Sequence, residues 1–222
     1  MKLANNLYFY PEKGMLDCNT YVIRDELSII IDPGFPQFLP ALIRDLELDG
    51  IKPSDIDIIA NTHLHIDHCW ANKTFQELSS AKIILHPLQK KFYDITVIET
   101  SKFFGLQPLP EGFKEDSCFD NSGLSVGETK IELIPSPGHS PDSICFYWEK
   151  DKILICGDVI FRQNTGRVDL PGGDGAKLRE SIGALSKLEI AYLLPGHMDI
   201  VSGAERVKEN FEFVEKNILD WL

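Results

Sequence analysis

The run Thr62-His63-Leu64-His65-Ile66-Asp67-His68 packs three imidazoles and a carboxylate into one short segment, directly after the apolar stretch 56–60. In an extended segment His63 and His65 project to the same side, so two imidazoles can grip one cation. Asp67 and His68, at the start of a following helix, can face a neighbouring position. Two more histidines stand where strand-like runs give way to loops, in Pro137-Gly138-His139 and Pro195-Gly196-His197. Polar residues at strand ends can converge at one sheet edge, where sites on layered scaffolds tend to lie. Asp158, ending Ile155-Cys156-Gly157-Asp158, adds a carboxylate able to bridge two cations about 3.5–4 Å apart. A closed structural zinc site takes four Cys/His ligands, and seven nitrogen and oxygen donors exceed that number. Imidazoles and carboxylates without a thiolate suit zinc, iron or manganese. Two adjacent divalent ions are therefore geometrically possible; the ligand types alone do not choose the metal, zinc being the first expectation and iron or manganese the alternatives.

The rest of the pattern predicts an α/β chain. Strands are expected at 7–10, 19–23, 27–31, 56–60, 82–85, 130–134, 143–148, 152–156 and 191–194. Helices are expected at 38–48, from about Asp67 with Trp70, Thr74 and Leu78 on one side, at 174–188, and at 204–222. The last carries Val207, Phe211, Val214, Ile218 and Leu222 on one stripe. Strands then a helix, twice over, imply two mixed sheets packed face to face with helices outside, in one domain spanning 1–222. The segment 87–120 is rich in phenylalanine and broken by Gly105, Pro108, Pro110 and Gly112. It reads as a helix plus a long loop that walls a pocket.

Composition narrows the function classes. The 222 residues are 43% hydrophobic and 25% charged, which is ordinary for a globular chain. With 22 Lys and Arg against 34 Asp and Glu the net charge is −12. Such a surface repels phosphate backbones and anionic membranes, so neither nucleic acid nor membrane is an expected partner. A small-molecule substrate is expected instead, with a homodimer allowed. No stretch approaches the roughly 18 apolar residues of a membrane span, and the expected location is the cytoplasm. Five cysteines without a C-x-x-C pair read as reduced thiols, with Cys145 and Cys156 buried and inert.

Several segments together carry a resemblance: Asn19-Thr20-Tyr21-Val22, Asp32-Pro33-Gly34, Thr62 to His68, Pro137-Gly138-His139-Ser140-Pro141, Gly157-Asp158-Val159-Ile160-Phe161, Gly166-Arg167-Val168-Asp169 and Pro195-Gly196-His197. In this order and spacing the chain resembles the metallo-β-lactamase fold superfamily, and more narrowly its short glyoxalase II-like (hydroxyacylglutathione hydrolase-like) metallohydrolases. The resemblance implies an αββα sandwich, one metal on His63, His65 and His139, a second on Asp67, His68 and His197, and Asp158 bridging. Cys69-Trp70 and Asp142 depart from it, since a small residue and a glycine are frequent there.

The chemistry expected is hydrolysis by a metal-bridging hydroxide, because a divalent cation lowers the pKa of bound water to roughly 7. Asp67 and Asp158 are the candidate catalytic carboxylates, Asp67 to orient the nucleophile and move its proton. A thiolate leaves without protonation, which favours thioesters, with lactones and β-lactams as side substrates. A similar Gly166–Asp174 loop occurs in persulfide dioxygenases, and by that resemblance His63, His139 and Asp158 would instead hold a single iron. A nuclease of the same fold would need a basic surface. A metal-binding protein without turnover is the remaining alternative. Arg167 is a candidate either to hold a substrate carboxylate or to brace its loop through Asp169 or Asp174. His86 is expected to pack or support rather than ligate. Cys69, although at a helix start, lacks the paired histidine of a nucleophile.

Overall fold

Strands that are apolar along their whole length need cover on both faces, and the chain supplies it with two sheets and two helical layers. A computed structural model describes residues 2–4, 6–107, 113–120 and 123–222. The first sheet runs in order β1 (Lys2–Ala4), β2 (Leu7–Tyr10), β3 (Thr20–Arg24), β4 (Ser28–Ile31), β5 (Ile58–Ala60), β6 (Lys82–Leu85) and β7 (Ser117–Cys118). It is antiparallel up to β4 and parallel from there on. The second half contributes β8 (Leu124–Ser125), β9 (Lys130–Pro135), β10 (Ile144–Trp148) and β11 (Ile153–Gly157), then a ribbon of β12 (Ile160–Phe161) and β13 (Asn164–Thr165). It ends with β14 (Tyr192–Pro195) and β15 (Val201–Ser202). The second sheet has the order β15-β14-β11-β10-β9-β8, with β11 and β14 parallel.

The period of two along each strand sorts side chains between layers. Ile29 and Ile31 of β4 meet Phe146, Trp148, Ile153 and Ile155 of the second sheet in the central core. Ile30 and Ile59 point the other way, onto Leu39, Leu42 and Leu46 of helix α1 (Leu39–Leu48). On the far side, Leu154 and Cys156 pack under Leu178, Ile182 and Leu185 of a later helix and Val207, Phe211 and Val214 of the last one. The layers are thus helix, sheet, sheet, helix.

The helix expected from Asp67 is broken in two, α2 (Ile66–Cys69) and α3 (Asn72–Ser79). At the break the Ala71 N–H leaves the helical ladder and bonds the Gly34 carbonyl at 2.9 Å. This shifts the buried face to Asn72, Phe75 and Ser79, leaving Thr74 and Leu78 exposed, against the expected stripe. Asn72 turns inward because its amide donates to Asn61 Oδ1 at 2.7 Å. Segment 87–120 holds two short helices, α4 (Pro87–Lys91) and α5 (Thr100–Phe103), joined through a π-helical stretch Asp94–Glu99. Pro108, Pro110 and Gly112 lie outside the described residues. Helix α6 (Gly175–Leu185) starts at the Asp174 cap and stops three residues short of the expected end. Helix α7 (Ala204–Asn217) gives way to a 3-10 turn, Leu219–Trp221, before the end of the expected 204–222 helix. The short strands β1, β7, β8, β12, β13 and β15 had no apolar alternation long enough to announce them.

Candidate metal centre

The C-terminal ends of β5, β9, β11 and β14 open at one edge, and each is followed by donors. His63 Nε2 and His65 Nδ1 are 3.1 Å apart, and His139 Nε2 is 2.9 Å from His65 Nδ1. Nitrogens tetrahedrally placed on zinc would stand about 3.3 Å apart. On the other side of Asp158, His197 Nε2 lies 3.3 Å from Asp67 Oδ2. Asp158 faces both groups. Its Oδ1 is 3.4 Å from His68 Nε2, and its Oδ2 is 3.5 Å from His139 Nε2 and 3.4 Å from His197 Nε2. The structure therefore brings all seven expected donors together, as His63-His65-His139, His63-His68-Asp158 and Asp67-His68-His197 groupings. The fit to divalent cations rests on more than proximity. His68 Nε2 and Asp158 Oδ1 are buried and make no hydrogen bond, a costly state that a bound cation would relieve.

The outward nitrogens of four of these imidazoles are held in turn. Thr62 Oγ1 lies 3.2 Å from His63 Nδ1, and His139 Nδ1 donates to the Arg167 carbonyl at 2.7 Å. His68 Nδ1 donates to Asp32 Oδ2 at 2.9 Å, and His197 Nδ1 to Glu12 Oε2 at 2.8 Å. Such contacts fix ring orientation and tautomer, so that the opposite nitrogen is the free donor. Asp32 and Glu12 were not singled out in the sequence. Asp32 follows the run Ile29-Ile30-Ile31 at the edge that carries the histidines, which is a usable signal. Glu12 lies in Pro11-Glu12-Lys13-Gly14, where nothing separates it from other surface acids. Replacing Glu12 with alanine is expected to weaken metal retention about 10- to 100-fold in chelator competition, with the fold intact by circular dichroism.

The charges are arranged in two zones. Burial, and then the neighbouring His68, keep the His63 pKa well below its ordinary value; burial and His139 take His65 down to about 3. Burial also lowers His139, with Asp158 opposing. These three imidazoles are neutral and ready to donate. Burial opposes charge on His197 too, but Asp158, Asp67 and Glu12 hold it well above the ordinary range. Burial likewise disfavours ionised Asp67, yet His68 and His197 bring it down to about 2. Cation binding in this second zone must displace imidazole protons.

Close approach also demands glycine at one position. A Cβ on Gly196 would collide with Asp158 Oδ1 and stand 2.7 Å from His68 Cε1. Asp142 is fully buried, accepting from Leu64 N at 3.0 Å and from Ser140 Oγ at 2.7 Å. It thereby braces the backbone between His63 and His65. Burial pushes its carboxyl up to about 7 from the ordinary 3.8, against those hydrogen bonds. A folded pKa above the unfolded one means that protonation favours folding. This contribution is complete below about pH 4 and is lost as pH rises through about 7. Asp142→Asn should therefore gain stability relative to the parent chain across that window, read as a Tm difference that grows between pH 4 and 8.

The other expected residues fall into place around the centre. Arg167 lines the cavity over the donors, with Nε and Nη2 each 2.6 Å from an Asp169 carboxylate oxygen, so its guanidinium braces the loop. His86 caps α4, its Nδ1 accepting from Leu88 N at 3.2 Å, and takes no part in the donor groups. Cys69 is buried, and burial pushes its thiol well above the ordinary range. All five cysteines are free thiols, with Cys145 and Cys156 buried. Among the described residues no helix is long and apolar enough to cross a membrane.

A family model described as the metallo-beta-lactamase superfamily matches residues 14–197, a span that includes all seven donors. The chain belongs to this superfamily. A probable metallo-hydrolase of Methanocaldococcus jannaschii is 36% identical over 190 residues, covering 82% of this chain and 88% of that one. Hydroxyacylglutathione hydrolase GloC of Haemophilus influenzae is 30% identical over 169 residues, covering 75% and 76%. Among solved structures, a B3 metallo-beta-lactamase superposes with a TM-score of 0.76 at 28% identity, covering 91% of this chain and 95% of the other. A protein crystallised in a di-iron-bound form gives 0.72 at 28% identity, covering 87% and 94%. A metallo-beta-lactamase superfamily metallo-hydrolase is thus the frame for the residues above.

Proposed function

We propose that this superfamily member is a dinuclear metal-dependent hydrolase that cleaves thioesters. The observation carrying the dinuclear reading is Asp158, whose carboxylate stands within 3.5 Å of His139 in one donor group and of His68 and His197 in the other. His63, His65 and His139 would hold one divalent ion and Asp67, His68 and His197 the other. Zinc is assigned first, with iron next, as in the di-iron neighbour. Ions there would supply Lewis acidity toward a carbonyl and lower the pKa of a coordinated water.

The chain's own groups then divide the remaining work. Asp67 would orient the attacking water and relay its proton, as a carboxylate beside the second ion and lining the cavity. Its Oδ2 stands 3.3 Å from His197 Nε2, and the residue lines the cavity. Among the described residues lining the cavity, every titratable side chain except Arg167 is a candidate metal donor, so no separate general acid stands ready for a leaving group. A thiolate leaves without one, whereas an amine does not; this supports a thioester over an amide. The Haemophilus influenzae relative, by its name, hydrolyses an acylglutathione, which is a thioester. The net charge of −12 supports a small-molecule substrate over nucleic acid.

The test is elemental analysis of protein purified without added metal and without oxygen, followed by thioester cleavage on the same sample. About two equivalents of zinc or iron with cleavage is the expected result. One equivalent of iron, no cleavage and thiol-dependent oxygen uptake would replace this reading by persulfide oxidation.

A further inference from the structure

The cavity above the donors has a volume of about 330 Å³, on the scale of a small-ligand site. Its walls are apolar: Leu16, Ile66, Phe104, Phe161, Leu170 and Met198 stand around the His and Asp floor. Large apolar side chains left in water mark binding surfaces when they gather. Here Phe104 is 41% and Met198 47% exposed while lining the cavity, and their chain neighbourhood adds Phe103 at 53% and Met15, next to Leu16, at 91%.

The polar side of the mouth is already satisfied. Arg167 is the only Lys or Arg among the described residues lining the cavity, and its fork is filled by Asp169. The guanidinium carbon also lies 6.0 Å from the Phe103 ring centre. Arg162, next to Phe161, is paired with Asp199 at 2.9 Å. Among the described residues lining the cavity, a substrate carboxylate meets no unpaired Lys or Arg. The walls suit hydrocarbon and offer an anionic carrier no free cation.

We infer that the site accepts thioesters of apolar acyl groups on a compact, uncharged thiol, with the acyl chain seated against Phe104, Leu170 and Met198. This rests on the thioester reading above and narrows it. Water adds across the C–S bond, giving the apolar carboxylic acid and the free thiol, with no redox change. The occupant these walls disfavour is a hydroxyacyl group carried by glutathione, whose two carboxylates would find no unpaired Lys or Arg among the described residues lining the cavity.

Non-hydrolysable thioethers separate this inference from the reaction. Binding of N-acetyl-S-hexylcysteamine, N-acetyl-S-methylcysteamine and S-methylglutathione to the protein with its metal as purified is measured by calorimetry, beside hydrolysis of N-acetylcysteamine thioesters of hexanoate and D-lactate. The hexyl probe should bind at least about tenfold more tightly than the methyl probe, since each buried methylene contributes up to about 0.8 kcal/mol. Phe104→Ala should shrink that ratio to about threefold or less, while Phe213→Ala, on the exposed face of α7, should leave it alone. Hexanoyl cleavage should exceed lactoyl cleavage by a similar factor. Equal binding of hexyl and methyl probes, or tenfold tighter binding of the glutathione probe, overturns the inference even if thioesters are cleaved. A hexyl preference without any thioester turnover leaves the pocket assignment standing and overturns the thioester reaction instead.

Discussion

Asp158→Ala is expected to lower kcat/KM by about a thousandfold, equivalent to about 4 kcal/mol of transition-state stabilisation, and to reduce bound metal from two equivalents to one or fewer. The reason is positional. Among the described residues no other side chain faces His139 and His68 at once through two oxygens, each within 3.5 Å of an imidazole nitrogen. Elemental analysis and steady-state kinetics on the same preparation check it. Retention of full metal content and activity would remove Asp158 from its bridging place. The substitution should spare the fold, because the strand that delivers Asp158 is anchored by Ile153, Leu154 and Ile155 in two separate cores.

Asp32→Ala should damage both stability and the metal centre. The Asp32 carboxylate accepts from Thr62 N at 2.8 Å, from Thr62 Oγ1 at 2.6 Å and from His68 Nδ1 at 2.9 Å, all buried. Removing it strands these donors in the interior, a loss of about 3–5 kcal/mol. A chain of this length should then melt about 10 °C lower. Asp32→Asn keeps an acceptor for the Thr62 N–H but withdraws the charge beside His68. It is expected to recover much of the melting temperature while still holding the metal on His68 about 10- to 100-fold less tightly. Equal metal retention in both variants and the parent chain would show that His68 needs no such support.

The parts of this molecule most legible in sequence are those governed by local periodicity or by an unusual cluster of residue types. Alternating destinations for Ile29, Ile30 and Ile31 follow from a period of two, and the all-apolar run itself says that both faces are covered. That seven candidate donors gather at one place is readable because they follow strand-like runs, and a strand end is a place where the topology can bring them to one edge. The helix after Asp67 departs from the expected stripe because its inward face is set by Asn72, which is held there by a hydrogen bond to Asn61 rather than by hydrophobicity. Short strands such as β12 and β15 depend on partners, with too few residues to show a pattern. Asp32 and Glu12 act across long sequence separations, through the backs of histidine rings. Acids of this kind look like any others until the chain has folded around them.

The donors come from both sheets. His63, His65, Asp67 and His68 follow β5 of the first, whereas His139, Asp158 and His197 follow β9, β11 and β14 of the second. Cations on these groups would act as cross-links between the two halves of the chain, closing long loops much as a disulfide does, but removable by a chelator. Such a clamp slows the parting of the sheets more than it changes either sheet alone. The metal-loaded protein should therefore resist proteolysis and unfolding on a timescale that the stripped chain does not share.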